Sequence, residues 1–130
     1  MEFNYRKLNA YQYALELVER VYEMVAFFPK EEKYSLGDQL RRAVVSVPSN
    51  IVEGMGRDSD KEKTHFISMA YTSLMEVMCQ TETALRVHYI SEDAFLKIEN
   101  EVTIVAKLLS GLKSSIQKSL NKQKSPNTQQ

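Results

Sequence analysis

A glutamate and a histidine three positions apart, Glu62 and His65, are the residues whose spacing most suggests metal chemistry. A four-helix bundle that holds two iron ions uses two such Glu-x-x-His pairs and one further glutamate from each remaining helix. This sequence has only one pair, because Leu85 and not a glutamate stands three positions before the other histidine, His88. Glu62 also completes a capping box that begins at Ser59. We therefore predict no metal centre and no other cofactor.

Nucleophilic chemistry would fall to Cys79, the only cysteine. No basic residue stands beside it in the sequence to favour the reactive thiolate, so we expect a buried or half-buried, inert thiol. Gly54 and Gly56 are not part of a phosphate-binding loop, because the strand and the lysine of such a loop are missing. No Cys/His spacing fits zinc. We predict that the protein is not an enzyme.

Charge is balanced, with 17 basic and 17 acidic residues in 130. This balance excludes a uniformly basic nucleic-acid binder and a highly charged disordered chain. The distribution is uneven, however, because no acidic residue follows Glu101 and five lysines do. We consider two interpretations: a basic strip that contacts RNA or DNA phosphates without sequence preference, or a solvated helix face favoured by the helix dipole. The candidate nucleic-acid contacts are Arg41, Arg42, Arg57, Lys107, Lys113 and Lys118.

The length suits one domain, which we assign to residues 1–120. Residues 121–130 are polar, and we expect a disordered tail. The N-terminal segment has no uninterrupted apolar run, so we expect neither a signal peptide nor an anchor. No apolar stretch approaches the roughly 20 residues that span a bilayer. We expect a cytoplasmic protein with no membrane partner, since a lone thiol also suits a reducing compartment.

Three breaks divide the chain into four segments, each with the period of a helix. The breaks lie at residues 28–34, 53–58 and 88–91, and Ser35, Ser59 and Ser91 resemble helix caps. Short connections favour neighbours that run in opposite directions. We predict an all-α protein, an antiparallel up-down-up-down four-helix bundle. The clearest apolar seam, in the fourth segment, consists of Phe95, Ile98, Val102, Val105, Leu109, Leu112 and Ile116.

The first and third segments each carry two apolar stripes, one more than a bundle core requires. In the first segment, Leu17 belongs to one stripe and Leu15 to the other. Surplus apolar surface of this kind marks subunit interfaces, so we predict a homo-oligomer.

Pro48 lies in the middle of the second segment, where a proline costs a helix about 3 kcal/mol. The apolar pattern nevertheless keeps its phase from Val44 to Ile51, so we predict one helix with a kink at Pro48. Polar residues gather around it, and a Ser or Asn side chain would reach the backbone near Val44. We interpret them as a structural cluster or an interface, with a ligand or nucleic-acid site as the alternative. The cluster consists of Arg41, Arg42, Ser46, Pro48, Asn50, Glu53 and Glu76.

The stretch from residue 28 to residue 57 resembles the signature of the 23S rRNA-intervening-sequence proteins, also known as the four-helix-bundle protein family. The resemblance extends over roughly residues 5–115 and departs from the family pattern at Thr72, where members carry Gly, and at Tyr11, near the usual Trp. In the third helix, the family positions are Ala70, Ser73, Leu74 and Glu76. The other matching residues are Phe28, Pro29, Glu32, Gln39, Leu40, Arg41, Arg42, Ala43, Ser46, Pro48, Asn50, Ile51, Glu53 and Gly54.

The resemblance implies a fold more than an activity. Family members resemble left-handed antiparallel bundles that assemble as homopentamers, and some are encoded in insertions of bacterial 23S rRNA genes. They are similar in fold to accessory proteins of diversity-generating retroelements, which bind nucleic acid and a reverse transcriptase. We therefore expect a non-enzymatic oligomeric scaffold or adaptor, with sequence-independent RNA or DNA binding as the alternative function.

Overall fold

The computed structural model describes the backbone of residues 4–128 and the side chains of residues 4–118. Each α-helix contacts the next along the chain, and the fourth returns to the first, so that the four enclose one core. Residues 4–128 contain no strand. The predicted all-α four-helix bundle is confirmed. After a 3-10 helix, Asn4–Lys7, the elements are α1 (Asn9–Val25), α2 (Leu36–Met55), α3 (Asp60–Arg86) and α4 (Glu92–Thr128).

Serine side chains define the starts of two helices. The Ser59 hydroxyl accepts the backbone N–H of Glu62 at 3.1 Å, and the Ser91 hydroxyl accepts that of Ala94 at 3.1 Å. These hydrogen bonds satisfy donors that a first turn leaves without a partner inside the helix. Ser35 occupies the predicted N-cap position of α2, but the predicted side-chain bond is wrong, because its hydroxyl accepts none of the first-turn N–H groups. Glu32 takes this role at α2: its carbonyl oxygen accepts the N–H of Gly37 at 2.9 Å.

The helix α2 continues through Pro48, as its apolar phase predicted. Pro48 itself is buried in the bundle. The Ser46 hydroxyl donates to the carbonyl of Arg42 at 3.0 Å, and the Asn50 amide donates to that of Ser46 at 2.8 Å. Each side chain therefore bonds one turn back and not to the carbonyl of Val44. Side-chain bonds of this kind often accompany bending of a helix. The predicted kink of α2 at Pro48 stays a prediction.

Two glycines allow α2 to approach its neighbours closely. A Cβ at Gly37 would lie 2.7 Å from the Cγ1 of Val25, at the end of α1. A Cβ at Gly54 would lie 3.0 Å from the Cβ of Phe66, in the first turns of α3. The distance at Gly37 is shorter than Cβ atoms show in proteins, and the distance at Gly54 is tighter than most Cβ contacts, so a side chain at either position would require α2 or its neighbour to shift.

Contacts between helix ends indicate how the helices align. The end of α2 meets the beginning of α3 at Gly54 and Phe66. The Phe28 ring, just after α1, lies 5.7 Å from the ring of Tyr89, just after α3. Antiparallel neighbours make contacts of this kind. The contacts therefore support the up-down-up-down order, which stays a prediction.

The core consists of one apolar stripe from each helix. Leu17, Leu40, Leu74 and Leu109 are buried at its centre. The described backbone of α4 runs past residue 120, where we predicted the domain to end. Side chains from residue 119 onward lie outside the described part, and the predicted disorder of residues 121–130 stays a prediction. None of the described helices combines the length and the apolar character needed to cross a membrane.

Candidate functional site

A groove between α1 and α2 exposes large apolar side chains. Leu15 is 37% exposed, Tyr22 46% and Val45 40%. Val45 lines two adjoining hollows, of about 410 Å³ and 530 Å³, so the groove is continuous. Tyr11 and Val52 form one end of it, and Tyr22 with Arg41 forms the other. We call this surface the α1–α2 groove.

Arg41 belongs to the interior of the subunit more than to its surface. Its guanidinium donates to the carbonyl oxygen of Lys33 at 2.6 Å and to the carboxylate of Asp38. It also lies 6.0 Å from the centre of the Tyr22 ring. Arg41 therefore ties the α1–α2 connection to both helices, and both hydrogen bonds use its Nη2.

Arg57, another candidate nucleic-acid contact, is held in a similar way. Its guanidinium pairs with the carboxylate of Glu53 one turn earlier at 3.0 Å. The guanidinium carbon lies 4.6 Å from the centre of the Phe66 ring, a cation–π contact. The Arg57 and Glu53 side chains thus fix the connection between α2 and α3.

The remaining predicted cluster residues do not meet at one point. Arg42 is exposed on α2, beside the groove, and Glu76 is exposed on α3. Among the described side chains, neither takes part in an ion pair. Ser46 and Asn50 form backbone hydrogen bonds within α2. The predicted cluster is thus a row of separate contacts, of which Arg42 and Glu76 remain open to a partner.

A second apolar surface follows α3. Tyr71 and Met75 are 39% and 38% exposed, and Met78 is half-buried. Glu82 lines the same surface and forms no ion pair with any described residue. We call Tyr71, Met75, Met78, Cys79 and Glu82 the α3 outer face. Cys79 is exposed there, so the prediction of a buried or half-buried thiol is wrong.

The candidate lysines of α4 whose side chains the structure describes do not form a single row. Lys107 and Lys118 are exposed, and their separation of eleven positions brings them to nearly the same side of a helix. Lys113 is half-buried instead, in a hollow of about 320 Å³ that Tyr71 and Leu109 also line. It points away from the other two because six residues turn a helix by roughly 240°. The described part of the basic strip is therefore Lys107 and Lys118.

Glu62 and His65 lie at the start of α3, where both are exposed. The His65 ring packs edge-on against Phe66, with 5.6 Å between the ring centres. Among residues 4–118, no group of three or more His, Cys, Asp or Glu side chains is placed to hold a metal ion.

One carboxylate between α1 and α4 has an unusual environment. Burial raises the pKa of Glu101, Arg20 opposes this shift, and Glu16 and Glu23 add to it. Arg20 lies 3.7 Å from one carboxylate oxygen, and the other oxygen is buried without a hydrogen-bond partner. Because Arg20 is also paired with Glu23 at 3.2 Å, it compensates Glu101 only in part.

These features define an all-α, four-helix-bundle protein whose α1–α2 groove and α3 outer face expose apolar side chains. The chain belongs to the 23S rRNA-intervening sequence protein family, whose model matches residues 6–111. It is similar to the crystal structure of a protein of unknown function from the S23 ribosomal protein family of Bacteroides thetaiotaomicron. The two chains are 24% identical with a TM-score of 0.75, over 81% of this chain and 95% of the other. That likeness shows the fold alone. Among curated proteins, none matches this chain.

Neither the family description nor that of the solved relative names a catalytic activity. Five residues of the predicted cluster line the groove, and the apolar residues beside them were not predicted as part of a site. The five are Arg41, Arg42, Ser46, Pro48 and Glu53. Leu15 and Tyr22 belong to the surplus stripe of α1, which provided a signal. Val45 provided none, because it lies off the apolar phase of α2.

Proposed function

We propose that this protein is a non-enzymatic oligomeric scaffold or adaptor, built from copies that associate through their apolar surfaces. The observation that carries this proposal is the α1–α2 groove, where Leu15, Tyr22 and Val45 all face outward. Contiguous apolar surface of this kind marks interaction sites in soluble proteins. Burying it contributes about 25 cal/mol for each Å² removed from water.

The polar residues near the groove support a structural role over a catalytic one. Arg41 donates to Lys33 and Asp38, and Asn50 and Ser46 donate to the backbone. Groups engaged in this way position helices and are not available to bind or activate a substrate. The number of copies rests on the family resemblance, which favours a ring of five.

Substitution within the groove tests the proposal. Val45→Glu places a charge in the middle of the groove without disturbing the core, since Val45 is 40% exposed. We expect this variant to have a smaller solution mass than the wild type at equal concentration, with unchanged helical circular dichroism. Leu96→Glu is the matched control, because Leu96 is 49% exposed on α4 and lines no part of the groove. If Val45→Glu and Leu96→Glu have the same mass as the wild type, the groove is not the interface.

A second function, sequence-independent RNA or DNA binding, is supported by the charge of α4. Lys107 and Lys118 are exposed, and the sequence has no acidic residue after Glu101. Copies in a ring would repeat this charge and contact several phosphates together. Such binding is strongest in low salt.

The measurement is the binding of single-stranded RNA and duplex DNA across a salt series. We expect weak binding at about 50 mM salt that is lost as the salt concentration rises. The double variant Lys107→Gln/Lys118→Gln should bind less, and Lys97→Gln, elsewhere on α4, should bind as the wild type does. Absence of binding at about 50 mM salt would remove this second function.

A further inference from the structure

We propose that the α1–α2 groove of one copy receives the α3 outer face of the next copy, in a head-to-tail contact. This inference rests on the proposed oligomer and assigns its two interacting surfaces. It also names the ion pair that sets their register, between Arg42 of one copy and Glu82 of the next.

The two surfaces are built differently. The groove lies between two helices and is open along its length through both hollows. The α3 outer face belongs to a single helix, where Met75, Met78, Cys79 and Glu82 line a hollow of about 410 Å³. The flexible methionine side chain adapts to an irregular surface, which suits Met75 and Met78 to contact with the groove of a neighbouring copy.

The two surfaces also lie at the same height along the bundle. The lower end of the groove is Tyr11 with Val52, close to Gly54, which meets Phe66 at the start of α3. The upper end is Tyr22 with Arg41, on the side of the bundle where α1 ends. There the ring of Phe28 meets that of Tyr89, just after α3. The part of the face from Tyr71 to Met78 therefore lies between the heights of the two groove ends. Glu82 lies about 6 Å higher than Arg42, a separation that ion pairs one turn apart on a helix also span.

This match in height favours a cyclic assembly. Rotation about an axis parallel to the bundle leaves every residue at its own height, so it carries the α3 outer face of one copy to the groove of the next. A contact between two different surfaces closes into a ring when the rotation returns to its starting point. A groove that met another groove would form only a pair.

Charge complementarity identifies the register. Arg42 lines the upper hollow of the groove, and its charge is unpaired among the described residues. Glu82 lies in the upper part of the α3 outer face and forms no ion pair among the described residues, although Arg86, one turn later, lines the same hollow. Charges of opposite sign at matching positions favour one register over its alternatives.

Charge reversal tests the pairing. We expect Arg42→Glu and Glu82→Arg each to raise the concentration at which the oligomer dissociates by about tenfold or more. The double variant should regain most of the wild-type affinity, because it restores the pair with the charges exchanged. Lys97→Glu and Glu99→Arg, exposed on α4 and outside both surfaces, serve as controls.

Each outcome bears on a different claim. A wild-type protein that is monomeric overturns the proposed oligomer itself. An oligomeric wild type in which the reversals behave like the controls overturns this inference alone. The same holds if Arg42→Glu weakens the oligomer and Glu82→Arg does not, because that result indicates a groove that pairs with itself.

The single cysteine provides a second test, which detects the contact by crosslinking and does not depend on weakening the oligomer. Cys79 is on the α3 outer face, and Ser46→Cys would place a thiol beside the groove. We expect a short bismaleimide to link Ser46→Cys copies into dimers, trimers and higher species, since each copy then carries one thiol on each surface. Adding Cys79→Ser should abolish every linked species. Linked dimers that persist in Cys79→Ser would contradict the head-to-tail contact.

Discussion

Single residues in this bundle act mainly by setting how closely two helices approach. Gly54 is the clearest case, because the space for its missing side chain is taken by Phe66 and by the carbonyl of Lys63, 3.2 Å from the Cβ position. Gly54 was readable in the sequence as part of a break between helices. The sequence did not predict that Gly54 lies inside the last turn of α2, because its role depends on the contact with Phe66 and Lys63 of α3.

We expect Gly54→Ala to destabilise the fold by about 1–3 kcal/mol, since the added methyl group must displace α3. Gly111→Ala is the matched control: nothing lies within 4 Å of its Cβ position, on the exposed side of α4. There alanine should stabilise the helix by about 1 kcal/mol. Urea unfolding of the two variants measures both effects. Equal changes in the two would contradict the close-approach explanation.

Glu101 gives a pH dependence whose sign follows from its raised pKa. Below the ordinary pKa of a glutamate, both the folded and the unfolded chain carry the proton, and ionisation does not weaken the fold. As the pH rises through the raised pKa, the folded chain must ionise a partly buried carboxyl, and stability is lost. We expect Glu101→Gln to be more stable than the wild type at neutral pH and to lose that advantage in acid. The measurement is the unfolding free energy across pH.

The exposed neighbour Glu99 provides the control, because Glu99→Gln changes the same charge on the same helix without the burial. Its stability relative to the wild type should vary less with pH. An advantage of Glu101→Gln that persists in acid would show that packing and not ionisation is responsible.

At the scale of elements, the sequence predicted the four helices and two of their three serine caps. Regular spacing of apolar residues carries this information locally, and Ser59 and Ser91 confirm it. The start of α2 at Ser35 was predicted, but the Ser35 side chain makes no capping bond, and the carbonyl of Glu32, an earlier residue in the connection, accepts a first-turn N–H instead. A residue of the connection can accept a first-turn N–H only if the connection folds back towards the start of the helix. No local sequence pattern predicts that path.

The connection between α3 and α4 contains a second element-level feature. His88 adopts φ 66°, and the N–H of Tyr89 bonds to the carbonyl of Ala84 at 2.8 Å, as in a helix end that usually carries glycine. In the sequence, His88 stood in the third break between helices and as an incomplete metal ligand. In the structure it occupies a position where a side chain costs about 1 kcal/mol.

We therefore expect His88→Gly to stabilise the protein by up to about 1 kcal/mol. His88→Ala keeps the unfavourable backbone position and should give no comparable gain. Chemical denaturation of the two variants separates these cases. If alanine stabilised as much as glycine, the effect would come from the imidazole and not from the backbone.

At the scale of the whole molecule, the four helices share one core, and the α1–α2 groove and the α3 outer face still expose apolar side chains to water. The surplus stripe of α1 predicted an interface, and the structure assigns Leu15 and Tyr22 of that stripe to a groove with α2. The sequence could not predict that Val45 completes the groove, because its position depends on the angle between α1 and α2. The α3 outer face provides a second surface, which suits contact between different faces of successive copies.

The solution mass of the wild-type chain tests this account most directly. Light scattering coupled to size exclusion at micromolar concentration should give a multiple of the 15.0 kDa monomer, and a ring of five is the multiple the family favours. A single species of 15.0 kDa under those conditions would contradict the account, because both apolar surfaces would then remain open to water.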